Sequence, residues 1–165
     1  MSGTPGEAAD PFLRASYEIL TLTLREMRDC ISGLTPEALN RQPAGDDSNS
    51  IAVLANHSLQ STRSWLSVAL GEPLPPRDRP SEFTTSAPDA AALLALVDAL
   101  GSDCAALLQR PGAVDWSISR ATHARPDSGS PSAVPAAWAL LHAMEHLREH
   151  TGQMLLTRQL LEAAS

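Results

Sequence analysis

Apolar residues recur at spacings of four and three residues along the first part of the chain, and this pattern restricts the fold more than any other feature. Such spacing places them on one face of an α-helix that packs lengthwise against its neighbours. Asp10 is a suitable N-cap, Pro11 suits the first helical position, and Gly33 marks the end. The apolar residues concerned are Leu13, Tyr17, Leu20, Leu24, Met27, Ile31 and Leu34.

Three further segments share the helical pattern, at about residues 50–70, 87–110 and 135–162. The signals at their ends are Ser50 and Gly71 for the second helix, a capping box of Ser86 and Asp89 and the pair Pro111–Gly112 for the third, and Pro135 for the fourth. Four helices with long connections predict an all-α four-helix bundle.

Two of the predicted connections are long. Residues 71–88 contain five prolines, which favours a non-helical segment because proline disrupts both helices and central strands. Residues 111–134 form a second long loop, of a length that is usually functional or mobile. Residues 1–10 are expected to be a flexible N-terminal segment, and residues 11–165 one domain.

Composition excludes several classes of function. The chain has 165 residues and a net charge of −7, which argues against binding to nucleic acid or to anionic membranes. Its two cysteines, Cys30 and Cys104, do not form a disulfide framework. The N-terminal residues do not resemble a signal peptide, and no uninterrupted apolar stretch reaches about 18 residues. We expect a cytoplasmic protein with reduced thiols.

The fourth helix carries His142, His146 and His150, each four residues from the next. Residues at this spacing overlie one another on a helix, so two imidazoles can bind one metal ion. Small and apolar residues cluster around the direction of His146 and His150, and His142 lies toward the edge of that face. We therefore predict His146 and His150 as the inward pair. The alternative is an incidental pair on the helix surface.

His57, on the apolar face of the second helix, is the best candidate for a third ligand. A histidine in such a position is more commonly a hydrogen-bonded core residue, so this alternative stays open. Three neutral imidazoles would leave at least one coordination position for water or substrate, which is the arrangement of catalytic sites.

The segment His146-Leu-Arg-Glu-His150-Thr-Gly-Gln153-Met resembles the HxxxHxGQ stretch on the last helix of DinB-like proteins. That superfamily includes mycothiol-dependent maleylpyruvate isomerases and bacillithiol transferases. Residues 50–66, with His57, resemble its second helix. The resemblance implies an up-down-down-up bundle in which His57, His146 and His150 bind zinc, nickel or a similar divalent ion. It also implies a low-molecular-weight thiol that the metal activates for transfer or isomerisation.

Other residues are candidates for the cleft around the ion: His142, Gln153, Ser61 and His123. A second apolar strip on the fourth helix, with Leu141, Met144 and Leu155, suggests a homodimer. Three functions compete. The first is a metal-dependent enzyme for transfer, isomerisation or hydrolysis of a small molecule. The second is a non-catalytic metal-binding or dimerisation module, and the third is a metal-free bundle that binds a small ligand.

Overall fold

The computed structural model describes residues 10–122 and 131–163, and these residues form a four-helix bundle. Residues 1–9, most of the predicted flexible segment, lie outside this part of the chain. The helices are α1 (Pro11–Ile31), α2 (Pro36–Asn40), α3 (Ile51–Leu70), α4 (Arg79–Glu82), α5 (Ala90–Leu108) and α6 (Ala136–Ala163), and the strands are β1 (Ser119–Ala121) and β2 (Ala133–Pro135). The long helices α1, α3, α5 and α6 make up the bundle, which confirms the predicted fold class.

Contacts between helix ends show that α3 and α5 run parallel. Arg110, just after α5, donates a hydrogen bond to the carbonyl of Leu70 at the end of α3. Nearer the middle, the Cys104 thiol donates to the carbonyl of Leu59. Parallel neighbours need a connection that returns along the whole helix. This explains the length of the segment between them, residues 71–89, which we call the strap.

The other pairs complete an up-down-down-up order. Arg148 of α6 contacts Glu26 of α1, and Arg158 reaches the carbonyl of Cys30, so α1 and α6 are parallel. On the opposite side Arg28 of α1 pairs with Asp98 of α5, and Gly101, later in α5, lies against Leu24, earlier in α1, so these two helices are antiparallel. Each long helix packs against two others, in the ring α1–α5–α3–α6.

The core is built from leucine and small residues of all four long helices. Its largest fully buried side chains are Leu13, Leu20, Met27, Ile31, Leu39, Ile51, Leu59, Leu66, Val97, Leu108, Leu147 and Met154. Both cysteines are buried in it, and burial raises the pKa of Cys30 to about 11 and that of Cys104 to about 12. The neutral thiol is therefore favoured at both positions, as expected of core residues.

The strap is not wholly non-helical, so the prediction for residues 71–88 was wrong in part. It contains the short helix α4, capped by the Asp78 carboxylate, which accepts from the Ser81 N–H. Side chains of α2 and α3 tie the strap to the rest of the fold. Asn56 donates to Thr85, and the Asn40 side chain both donates to and accepts from the Ala87 backbone.

The connection before α6 also differs from the predicted loop. β1 and β2 pair in an antiparallel ladder, with Arg120 opposite Val134. Pro135 belongs to β2, so α6 begins one residue later than predicted. The indole N–H of Trp116 donates to the buried carboxylate of Asp10 at 2.9 Å, which anchors this connection to the start of α1.

Two further expectations are corrected by the packing. Asp89 is the N-cap of α5 and accepts from the Ala92 N–H, so Ser86 is not the capping residue. On α6, Met144 is buried in the core, whereas Leu141 is 66% exposed. The predicted second apolar strip is therefore not a single surface, because its members point in different directions.

Within the described residues, α5 is long and apolar enough to cross a membrane by length and composition alone, with a mean hydropathy of 1.8. In the bundle this helix packs against α1 and α3. Its outward face carries the charged residues Asp98 and Asp103 among alanines.

Replacing Asp10 with Ala should destabilise the fold more than replacing Asp89 with Ala. Both aspartates cap a long helix, but Asp10 also accepts hydrogen bonds from Trp116 and Val114. We expect Asp89→Ala to lower the free energy of unfolding by about 1 kcal/mol. Asp10→Ala should lower it by about 2–4 kcal/mol, because the partly buried N–H groups of Trp116 and Val114 also lose their acceptor. Urea unfolding at pH 7 measures both losses, and equal losses would contradict the anchoring role.

Candidate metal centre

Three histidines from two antiparallel helices converge at one point of the bundle. His57 lies on α3, and His146 and His150 lie one turn apart on α6. Nitrogen atoms from the three rings all lie within 4.8 Å of one another. The structure therefore brings together the three residues that the sequence singles out, and the group could hold a metal ion.

The spacing of the donor atoms fits a single divalent ion. The Nε2 atoms of His146 and His150 are 3.2 Å apart. Two nitrogen ligands of one tetrahedral zinc ion are separated by roughly 3.3 Å. The centroid of the His57 ring lies 5.2 Å from each of the other two ring centroids. Imidazole nitrogens suit zinc and nickel, so the chemistry of the donor set agrees with the spacing.

Hydrogen bonds at the outer nitrogens set the tautomers of two of these rings. The Nδ1 atom of His57 lies 2.8 Å from the carboxylate of Glu82, and that of His150 lies 2.8 Å from the side-chain oxygen of Gln153. The Gln153 amide group also donates to Glu149, which fixes which of its ends is the oxygen. Because both partners are acceptors, Nδ1 carries the proton in each ring, and the lone pair that could bind a metal lies on Nε2.

His146 lies between these two rings and is the least satisfied of the three. Its Nε2–H donates to the lone pair of His150 Nε2. Its Nδ1 is buried and has no hydrogen-bond partner within the described part of the chain. A buried polar atom without a partner is costly, and such atoms occur preferentially at functional positions.

Glu82 and Arg77 are the site residues that sequence reasoning missed. Both lie on the strap, and the Glu82 side chain is only 3% exposed. Arg77 donates two hydrogen bonds to this carboxylate, from Nε to Oε1 at 2.6 Å and from Nη2 to Oε2 at 2.9 Å. No regular spacing links residue 82 to His57, and the proline content of the strap concealed the short helix that carries the glutamate.

Comparison with known proteins identifies the family of the chain. The sequence profile of the DinB superfamily matches residues 19–154. The chain belongs to the DinB superfamily. A crystal structure of a conserved protein from Enterococcus faecalis is similar in fold, with a TM-score of 0.68 and 18% sequence identity over 91% of this chain and 96% of that one. No curated protein matches the chain in sequence.

Burial favours the neutral form of His57 and His146 in this DinB-family centre. Burial lowers the pKa of His57, and the hydrogen bond and charge of Glu82 offset only part of this effect. Burial also lowers the pKa of His146 to about 3, with a further contribution from the neighbouring His150 and His57. A histidine binds a metal ion only in its neutral form. At pH 7 these two histidines are therefore ready to bind without first releasing a proton.

His142 lies beside the three-histidine group rather than within it. Its ring stacks on Trp138 and meets Trp65 edge-on, with centroid distances of 4.8 Å in both cases. It lies 5.8 Å from the ring of His146. On the other side of the group, Phe83 of the strap packs 4.5 Å from His57. Aromatic rings thus flank the histidines on two sides.

The remaining candidates for the cleft are placed differently. Gln153 contacts His150 directly, as described above. Ser61 is buried on α3, one turn after His57, and no contact with the three histidines is seen for it. His123 lies in residues 123–130, outside the described residues.

Acidification should destabilise the metal-free protein through His146. The pKa of a histidine in an unfolded chain is about 6.5, whereas that of His146 in the folded protein is about 3. Between these values the unfolded state binds the additional proton, so the free energy of unfolding should fall as the pH decreases. Urea unfolding with a chelator at pH 7.5 and pH 5 measures this fall.

The matched variants are His146→Gln and His142→Gln. The fall in the free energy of unfolding should be smaller in His146→Gln and close to that of the parent in His142→Gln, because His142 is only a lesser cause of the lowered pKa of His146. The same fall in parent and His146→Gln would show that another residue causes it.

Proposed function

We propose that this DinB-superfamily protein is a metal-dependent enzyme that acts on a small molecule, with transfer of a thiol as the favoured reaction and isomerisation or hydrolysis as variants. The observation that carries the proposal is the convergence of His57, His146 and His150. Three protein ligands leave a coordination position for water or substrate, which is typical of catalytic sites. Zinc or nickel is the favoured ion.

The charges around the centre favour activation of a bound thiol or water. Imidazoles bind a metal ion in their neutral form, and the carboxylate of Glu82 is already paired with Arg77. The charge of a bound ion would therefore be little reduced by its surroundings. A divalent ion in such a site lowers the pKa of a bound thiol or water molecule, which supplies a nucleophile at neutral pH.

The thiol would come from a small molecule and not from the chain itself. Cys30 and Cys104 are the only cysteines, and they are 2% and 0% exposed. Burial raises the pKa of each thiol, so neither is suited to act as a nucleophile. A low-molecular-weight thiol as co-substrate agrees with both facts.

Aromatic side chains beside the centre are suited to binding the apolar part of a substrate. Phe83 packs against His57, and Trp138 packs against His142. Even so, the two side chains are 40% and 43% exposed. Large aromatic surfaces at a polar site commonly contact ligands.

The competing function is a non-catalytic module in which the ion only joins α3 to α6. In that case no exchangeable ligand position should exist, and stability should depend strongly on metal. The α3–α6 interface is already closed by buried residues such as Leu66, Ala139 and Ala143, and His57 is held by Glu82. These contacts favour the enzyme over the module.

We also propose a cytoplasmic protein with a small-molecule substrate and with no nucleic-acid or membrane partner. A homodimer is proposed as well. Exposed apolar side chains on the neighbouring helices α1 and α6 support it, among them Leu22 and Leu141, which are 56% and 66% exposed.

Metal analysis of protein purified without chelator and without a histidine tag tests the proposal. The parent should contain about one equivalent of zinc, nickel or a similar ion. His57→Ala and His150→Ala should lose it, because each removes one of three ligands, whereas the control His142→Ala should retain it. A parent that takes up no divalent ion even after reconstitution would contradict the proposal. A metal-loaded parent would then be assayed with small thiols and electrophiles.

A further inference from the structure

We propose that Glu82 is a positioning residue, which holds His57 in the one orientation and tautomer that can bind the ion. This inference concerns the same centre as the proposed function and rests on it. The two can nevertheless fail separately, as the experiments below show.

The hydrogen bonds of the Glu82 carboxylate are suited to holding the His57 ring in one orientation. Oε2 accepts from His57 Nδ1 and from Arg77 Nη2, and Oε1 accepts from Arg77 Nε. A carboxylate that is bound in this bidentate way has a fixed orientation. It accepts the Nδ1 proton of His57, and a ring turned over about its axis would lose that bond. The Nε2 lone pair of His57 is thereby kept available for an ion.

Glu82 itself is not one of the ligands. The group of converging donors comprises His57, His146 and His150, and the carboxylate lies behind the first of these rings. A buried carboxylate costs several kcal/mol unless it is paired, and here Arg77, whose side chain is 13% exposed, provides the pair. Arg77 therefore stabilises the charge that positions the histidine.

The strap holds the glutamate in place by contacts that do not involve the histidines. Asp78 caps the short helix that ends at Glu82. Thr85, just after this helix, accepts from Asn56, which precedes His57 on α3. The position of the carboxylate is therefore set on both sides of residue 82 by the folded strap and not by an ion.

Titration with Co²⁺ of the metal-free protein tests the role. The Glu82→Gln variant keeps the size of the side chain but loses the charge that Arg77 and His57 share. It should bind Co²⁺ about 10–100-fold more weakly than the parent and give altered visible absorption bands. Glu82→Asp, which keeps a carboxylate, should recover part of the affinity.

Two controls distinguish positioning from general damage. Glu145→Ala removes an exposed glutamate from α6 near His142, and it should bind Co²⁺ as the parent does. Arg77→Ala should weaken binding, whereas Arg79→Ala, which removes a neighbouring arginine that contacts Phe83, should not. Circular dichroism reports whether each variant is folded. If Glu82→Gln is unfolded, Glu82→Asp and Arg77→Ala decide the question.

The tautomer of His57 provides a readout that needs no metal. In the metal-free parent, ¹⁵N chemical shifts of the imidazole should show the proton on Nδ1, and in Glu82→Gln they should show a mixture of tautomers. A parent that binds no Co²⁺ would contradict the proposed function, and the tautomer would then still test Glu82. Parent-like Co²⁺ affinity, or an unchanged His57 tautomer in folded Glu82→Gln, would overturn the inference.

Discussion

The antiparallel packing of α3 against α6 is the constraint on which the rest of the structure depends. It places His57 opposite the one-turn pair His146 and His150, and it brings their nitrogen atoms within 4.8 Å of one another. Small residues on α6, such as Ala139 and Ala143, are fully buried and allow the two helices to approach. A helix pair of this kind provides a rigid frame for ligands, which a metal site needs.

The same packing explains the strap. Because α3 and α5 are parallel, the chain must return along the bundle between them, and the connection passes beside His57. The return segment carries Glu82 and Phe83 to His57, so a topological requirement also supplies two neighbours of the candidate centre. The Arg77–Glu82 pair allows a charge to be buried there.

Local signals in the sequence were sufficient to predict most of the fold. The caps Asp10 and Ser50 and the stop at Gly71 act through backbone groups of the adjacent turn, so neighbouring residues alone determine them. The convergence of the three histidines could be predicted because helical periodicity shows which positions face inward. Membership in the DinB superfamily agrees with the predicted fold class.

Features that depend on distant contacts could not be predicted in this way. The β1–β2 ladder pairs residues about 14 apart across a Pro- and Gly-rich segment, and the intervening sequence lacks a strong strand pattern. Glu82 contacts His57 although the two residues are 25 positions apart in the sequence. The segment between them has no periodic pattern that would predict this contact. The burial of Met144, like the exposure of Leu141, depends on how α6 is rotated against its neighbours, which spacing along one helix determines only approximately.

The proposed function depends on the binding of one divalent ion to His57, His146 and His150, with a coordination position left open for exchange. Anomalous diffraction from zinc-loaded crystals, recorded above and below the zinc absorption edge, tests it most directly. We expect one strong peak within about 2.0–2.1 Å of a nitrogen of each histidine, with a water or solute as a further ligand and with the Glu82 contact retained. No peak at the three histidines, or a peak held by other residues, would contradict it.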